Sequence, residues 1–256
     1  MATKNINGIV LGDYPIGDDG KIIIVFSIEY GKIALKALGV NKIISKNKFS
    51  TQTFSQSNFE IFKSNFPDRL SKLKTGELLK SNIKISRNYQ NYLYASSISQ
   101  IIDKAFDFGI KNVQAFKMIE HCINSLSDDL HPLHYFSLFM FYSLDWFGAR
   151  WNLNQCGVCN KKSDFMMDFD YTKYSLICRK CKSNDTLFVK TTFLKLILQL
   201  NNSNYFDIKN IEDLQIKDII FLSVILMEYI NSEIGIFITG IEIIKNQNVF
   251  QNLNFL

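Results

Sequence analysis

The sequence predicts an α+β protein: a small closed β-barrel, then an all-α body broken once by a cysteine-rich insertion. Three observations carry this. Residues 1–80 read as short runs rich in β-branched residues, separated by turn residues. From about Ser86 onward, apolar residues recur at helical spacing. Between Asn152 and Asp185 that spacing stops, and four of the five cysteines fall there. The expected division is therefore a barrel domain at 1–80 and a helical domain at 81–256, with a metal-binding insertion at 152–185.

The elements follow in order. Asn7–Leu11 is apolar, and Gly12, Asp13, Pro15, Gly17, Asp18, Asp19 and Gly20 form a dense turn cluster. That cluster is no phosphate loop, because Gly20-Lys21 is followed by Ile22 rather than Ser or Thr. Ile22–Ile28 reads as a strand, and Tyr30-Gly31 marks a hairpin before Ile33–Leu38. Further strands are expected at Phe49–Phe54, Phe59–Phe66 and Leu70–Leu79. Five or six short strands in this length suggest a small closed barrel, a size class in which the OB-fold is the commonest. Most of Phe26, Phe49, Phe54, Phe59, Phe62 and Phe66 are expected to fill its core rather than stack on bases.

Helices are expected from Ser86, a candidate N-cap, through Ile102, and over Val113–Leu126 and Leu133–Phe147. The third is apolar around most of its circumference and should be central. Two more fit Thr192–Leu200 and Leu214–Ile230, the latter capped near Asp213.

The formal charge is +5, which decides little until it is located. Residues 1–80 hold 12 Lys and Arg against 7 Asp and Glu, whereas residues 81–256 hold 17 of each. Between Glu29 and Glu60 lie Lys32, Lys36, Lys42, Lys46 and Lys48 with no acidic residue among them. Such a block invites an anionic partner, nucleic acid above all. The alternative is a merely solvated face. No apolar stretch has the ~18 uncharged residues of a membrane span: Asp145 interrupts Leu133–Phe147 and Glu228 ends Ile219–Met227. The polar start, Met1 to Asn7, offers no signal-peptide core, so a cytoplasmic protein is expected.

The strongest motif is Cys156-Gly157-Val158-Cys159 followed by Cys178-Arg179-Lys180-Cys181. Two such knuckles at this spacing match a four-thiolate zinc site, with two disulfides or four free thiols as the alternatives. Gly157 can take the backbone angle a knuckle turn needs. Phe165–Phe169 and Lys173–Ile177 read as a hairpin that brings the pairs together. Cys156, Cys159, Cys178 and Cys181 would close the tetrahedron on one structural Zn²⁺, leaving no position for water or substrate. With no His-x-Glu before the cysteines, a zinc hydrolase or deaminase is disfavoured. Cys122 lies inside a predicted helix and reads as a buried small hydrophobe. Around the knuckles, Lys161, Lys162, Lys173, Arg179, Lys180 and Lys182 outnumber Asp164, Asp168 and Asp170.

The order of these parts resembles the bacterial recombination-mediator family RecO. Gly8-Ile9-Val10-Leu11 resembles that family's opening strand, and Gly17-Asp18 stands where it has a Gly-Glu. Phe26-Ser27-Ile28-Glu29-Tyr30-Gly31-Lys32-Ile33 resembles its Thr-x-Glu-x-Gly hairpin, and Ala37-Leu38-Gly39-Val40 its Ala-x-Gly-Ala segment. Leu144-Asp145-Trp146-Phe147-Gly148-Ala149 resembles its approach to the zinc knuckle. The resemblance implies an OB-fold followed by a helical domain. It implies binding of single- and double-stranded DNA, strand annealing, and loading of recombinase with RecR, in the RecFOR pathway, onto strands coated by single-strand-binding protein. It also implies contact with that protein's C-terminal tail, a nucleoid-associated location and no covalent chemistry. Lys32, Lys36, Lys42, Lys46 and Lys48 are the expected DNA-facing residues. One departure is plain: the consecutive basic pair usual after Ala-x-Gly-Ala is here Asn41-Lys42, followed by Ile43-Ile44. DNA affinity through this loop is expected to be weaker, or shared with other surfaces. A zinc-stapled module that binds only protein remains the alternative reading.

Overall fold

A computed structural model of the chain describes residues 3–66, 68–162, 167–182, 189–208 and 210–246. Five strands come first: β1 (Thr3–Ile16), β2 (Gly20–Ser27), β3 (Gly31–Ala37), β4 (Gln56–Phe62) and β5 (Ser71–Lys80). They form a closed barrel in the order β1-β2-β3-β5-β4, and β4 pairs back onto β1 from Thr3↔Phe62 to Ile9↔Gln56. The β3–β5 pairing is parallel and the others antiparallel. This is the OB-fold, as expected. Closure removes the free edges that a five-stranded sheet would otherwise expose.

Alternation fills the barrel. Ile6, Val10, Ile23, Val25, Ile33, Leu35, Phe59 and Ile61 point inward and are buried, with Tyr30 and Leu73 packed on them. Each buried aliphatic or aromatic side chain contributes roughly 2 kcal/mol of transfer free energy.

Three expectations about this region fail. Of the six phenylalanines only Phe59 belongs to the barrel's buried cluster: Phe26 and Phe54 are buried against Phe106 and Tyr92, Phe62 is half-buried, and Phe49 and Phe66 are exposed. The cluster Gly12–Gly20 is not one long turn, because β1 continues to Ile16 past an irregularity between Val10 and Gly12. Pro15 lies where β1 pairs only with β2, the edge position at which a missing N–H is tolerated. Phe49–Phe54 is not a strand. Residues 38–55 form a chain of hydrogen-bonded turns (Ser45 N to Lys42 O, Lys48 N to Ser45 O, Thr51 N to Asn47 O), and Phe54 has φ +68°, which no strand residue adopts.

The helices are α1 (Tyr89–Ala105), α2 (Val113–Ser127), α3 (Pro132–Ser143), α4 (Thr191–Asn201), α5 (Ile216–Ser232) and α6 (Thr239–Lys245). The cap of α1 is Asn88, whose side-chain oxygen accepts from the N–H groups of Gln90 and Asn91 at 3.0 and 3.2 Å. Ser86, the expected cap, lies in a 3-10 turn at Ile83–Arg87. The apolar run from Leu133 ends as α-helix at Ser143 and tightens into a 3-10 turn over Leu144–Phe147, closed by Gly148 at φ +63°. α5 begins at Ile216, with no side-chain cap from Gln215. None of these helices is long and apolar enough to cross a membrane. A short hairpin, β6 (Met167–Asp170) with β7 (Ser175–Cys178), precedes α4. Phe165, with which the expected first strand of this hairpin began, lies outside the described residues.

The chain divides into two compact units, Met1–Tyr135 with Ile238–Ile241, and Phe136–Phe237 with Glu242–Leu256. In the first, α1 and α2 lie on the barrel along a defined seam. The Gly109 N–H donates to the Lys32 carbonyl at 2.9 Å, and Phe26 packs on Phe106 with centroids 5.4 Å apart. Lys32 is only 5% exposed. Its ammonium donates to the Asp103 carbonyl at 2.8 Å and to the Asp103 carboxylate at 2.9 Å, and it sits 4.8 Å from the Phe108 ring centroid.

Gly31 is where the seam closes most tightly: at φ +63°, a Cβ there would lie 1.8 Å from the Ile110 carbonyl oxygen. Gly31→Ala should therefore cost at least about 3 kcal/mol, combining left-handed strain with a backbone clash. Gly17→Ala, at φ +59° but with nothing within 4 Å, should cost about 1 kcal/mol. Urea unfolding midpoints of the two variants check the difference; equal losses would remove the seam from the account.

Candidate metal centre and nucleic-acid interface

The four knuckle cysteines converge. Their sulfurs all lie within 4.8 Å of one another, with Cys159 and Cys178 Sγ 3.8 Å apart. These are thiols, well beyond the about 2.05 Å of a disulfide bond. Cys156 and Cys178 are buried, Cys159 and Cys181 half-buried. Among the described residues no other group of three or more His, Cys, Asp or Glu is arranged to hold a metal ion. Cys122 is buried in α2, as its helical position implied.

Each knuckle is shaped by backbone hydrogen bonds. Asn160 N donates to the Cys156 carbonyl at 2.9 Å, and Cys181 N to that of Cys178 at 3.0 Å. Gly157 N donates to Leu176 O at 2.8 Å, tying the first knuckle to β7. The need for glycine at 157 differs from the expected one. Its φ is not among the positive ones; instead, a Cβ would lie 2.5 Å from Ser175 Oγ. Space, not backbone angle, excludes a side chain. Left-handed φ is taken instead by Asn160 at +56° and Tyr174 at +49°.

The same amides tune the sulfurs. Burial pushes the Cys156 thiol up, but N–H groups of Cys159, Cys178 and Val158 directed at its sulfur outweigh this and bring its pKa to about 6. Cys178 N donates to Cys156 Sγ at 3.4 Å. The Cys178 thiol is lowered too, chiefly by the Cys181 backbone N–H. Cys181 goes the other way, to about 12, because its thiol hydrogen-bonds the sulfurs of Cys178 and Cys159. Four sulfurs at this spacing cannot all carry charge without a cation between them, so the donor set fits a thiophilic metal ion.

The hairpin is held from behind by rings. Trp151 stacks on Tyr174 at 5.9 Å and packs on Phe169 at 5.3 Å, and Tyr174 meets Tyr229 of α5 at 4.5 Å. Of the six cations counted around the knuckles, Lys182 pairs with Asp168 at 2.9 Å and Lys173 with Asp170 at 3.7 Å. Lys161, Lys162, Arg179 and Lys180 are exposed. Asp164 lies outside the described residues.

The five lysines after Glu29 do not form one set. Lys32 is buried on Asp103, so its ammonium cannot reach a phosphate without breaking that pair. It belongs to the seam rather than to a DNA-facing surface. Lys36 is half-buried on β3, while Lys42, Lys46 and Lys48 are exposed in the turns that follow. Lys42 lies 3.6 Å from Asp19, an exposed pair of small energetic weight. Ile43 and Ile44, between these lysines, are 92% and 90% exposed. The loop is fixed by Asn47, whose side-chain oxygen accepts from Gly76 N at 3.0 Å. At the other pole of the barrel Lys63 and Lys111 lie over Tyr30, and Arg69 lies over Phe66. The sequence brings Phe66 into question as a stacking ring but does not bring Lys63, Arg69 and Lys111 to it, because Lys111 is distant along the chain and Asp68 adjoins Arg69.

Barrel, helices and cysteine cluster together define the class: an OB-fold protein continued by a helical body with four cysteines placed so that they could hold a metal ion. Residues 1–82 match the family described as Recombination protein O N terminal, and residues 86–221 match Recombination protein O C terminal. A DNA repair protein RecO of Mesoplasma florum is 37% identical over 255 residues, covering 100% of this chain and 95% of that relative. One of Mycoplasma mycoides subsp. mycoides is 34% identical over 246 residues, covering 94% and 97%. The chain belongs to the RecO family.

Elemental analysis of purified protein should find one metal ion per chain. Cys156→Ser and Cys178→Ser should each lose it and lower Tm by more than about 5 °C. Protons compete with a metal ion for the thiolates, so metal retention against a chelator should fall on acidification; retention that rises on acidification would contradict the assignment.

Proposed function

We propose that this protein is a DNA-repair and homologous-recombination mediator. It binds single- and double-stranded DNA, anneals complementary strands and, with RecR, helps load recombinase onto DNA coated by single-strand-binding protein, whose C-terminal tail it contacts. The observation that carries this reading is full-length membership of the RecO family in a chain whose OB-fold barrel presents exposed lysines on a fixed loop. The protein acts without covalent chemistry and works in the cytoplasm.

Residues 1–80 are the DNA-binding domain in this reading, with Lys36, Lys42, Lys46 and Lys48 as its phosphate-facing side chains. Residues 38–55 contain no carboxylate, and the carboxylates that reach the loop, Asp19 beside Lys42 and Asp13 on the Thr53 hydroxyl, come from the β1–β2 hairpin. Annealing needs two strands held loosely, which backbone-directed, sequence-independent contacts provide better than base readout. The thiolate set holds one Zn²⁺ through Cys156, Cys159, Cys178 and Cys181. A closed S₄ shell gives the ion a folding role and no open position for catalysis. Strand annealing belongs to the protein surface, not to the metal.

Fluorescence anisotropy with single-stranded oligonucleotide across a salt series tests this. With about four phosphates neutralised, log affinity should fall against log salt with a slope near −3. Changing Lys42, Lys46 and Lys48 together to Glu should weaken binding at least about 100-fold at low salt and flatten the slope. Binding that ignores salt, or that survives the triple change, would overturn the loop assignment, and absence of any DNA binding at low salt would favour a protein-only module.

A further inference from the structure

The described residues of the β4–β5 connection, 63–66 and 68–70, lie at the pole of the barrel opposite the lysine loop. The register fixes this: Thr3 pairs with Phe62 and Gly8 with Ser27, so the start of β1, the β2–β3 turn and the β4–β5 loop share one end. The β1–β2 turn and the lysine loop share the other, where Asn41 N donates to Asp19 O at 3.0 Å.

At this pole aromatic rings and cations alternate. Arg69 lies over Phe66 with its guanidinium carbon 4.5 Å from the ring centroid, and Phe66 is 55% exposed. Lys63 and Lys111 both lie over Tyr30, their ammonium groups 4.8 and 5.7 Å from its centroid. Between them runs an open cleft lined by Tyr30, Lys63, Ser64, Phe66, Ser71 and Gly109. Among the described residues, none of the ion pairs engages Lys63, Arg69 or Lys111. The platform is also pre-set: Ser64 N donates to Ser71 Oγ at 3.0 Å, Phe66 N to Ser64 Oγ at 3.2 Å, and Arg69 N to Phe66 O at 3.2 Å.

We propose that this pole is a base-stacking subsite for single-stranded nucleic acid, with Phe66 and Arg69 as the platform and Lys63 and Lys111 facing the flanking phosphates. Tyr30 is a positioning residue that holds those two ammonium groups over its ring. The proposal rests on the DNA-binding reading above and adds a second, chemically different contact to it. A planar ring with a guanidinium on it matches a base, whose π-face is planar and whose strand brings one negative charge per nucleotide. An acidic peptide would match the charge, but the exposed ring with a guanidinium on its face presents a flat surface, which a base fits better than an aliphatic side chain does. Stacking releases no counterions, so this subsite and the lysine loop separate by salt dependence.

The test uses the full chain and two labelled oligomers of about 15 nucleotides, oligothymidylate and its abasic counterpart. Phe66→Ala should weaken oligothymidylate binding about tenfold with the salt slope unchanged, and leave abasic binding as in the parent. Arg69→Gln should weaken both and reduce the slope by about 0.7. Both side chains are exposed, so neither change threatens the core. Parental affinity of Phe66→Ala for both oligomers overturns the subsite. If binding then still depends on Lys42, Lys46 and Lys48, the DNA reading stands and only this proposal falls; if neither oligomer binds the parent, both fall together. A glutamate-rich peptide bound in a Phe66-dependent way, with the oligomers indifferent to Phe66, would reassign the pole to an acidic protein.

Discussion

The first compact unit depends on the seam at Gly31-Lys32. Here the barrel meets the connection between α1 and α2 so closely that one residue can have no side chain and the next must bury a charge. Burial of an ammonium is costly unless its three protons are answered. Lys32 meets a carbonyl, a carboxylate and a ring face, and Asp103 is itself half exposed, so its carboxylate keeps part of its hydration. The Gly109 N–H closes the same seam onto the Lys32 carbonyl. A slip of β3 by one residue would send Lys32 to the other face of the sheet and undo all of these at once. The seam therefore sets strand register as well as helix placement.

What the seam consumes decides what the surface can do. Sequence adjacency makes Lys32 the first of five equivalent cations, yet its charge is spent inside. The lysines of residues 38–55 stay at the surface for the opposite reason, Lys42 meeting Asp19 only in an exposed pair. Their loop is held by neutral groups: Asn47 to the backbone of β5, and Ser50 and Thr51 hydroxyls to the Asn47 carbonyl. No lysine is needed to fold it. The five lysines between Glu29 and Glu60 thus resolve into one buried charge, one half-buried on β3, and three exposed on a loop whose backbone is held by uncharged groups.

Regular structure was legible in the sequence because it is periodic. β2 and β3 alternate or run apolar around a Gly-turn, α1 and α2 repeat at helical spacing, and the cysteines announce themselves by interval. The losses fall where local signal and tertiary context part. Phe49–Phe54 has strand-like composition, yet Ser50, Thr51 and Ser55 hydroxyls turn back on nearby carbonyls and outcompete a ladder. Ser86 and Asn88 are both good caps; only the preceding 3-10 turn selects Asn88. The need for glycine at 157 is not visible locally, since the Ser175 side chain that excludes a Cβ is 18 positions away in sequence. α6 is too short to display a period.

The knuckle shows the same division of charge in the second unit. Lys182 and Lys173 hold the hairpin through Asp168 and Asp170, and Asp170 also accepts from Thr172 N and Oγ1 at 3.0 and 2.6 Å, capping the turn. Those two cations contribute to shape, whereas Lys161, Lys162, Arg179 and Lys180 flank the thiolates and are exposed. Their placement has an electrostatic consequence for the site itself. A divalent ion held by four thiolates would carry a net charge of about −2, and the cations next in sequence to the cysteines would offset it. A lysine beside a thiolate cluster is therefore no guide to nucleic acid by its charge alone. The loop after β3 has no such anionic cluster beside it, which is why its lysines, and not those of the knuckle, are the ones proposed to face DNA.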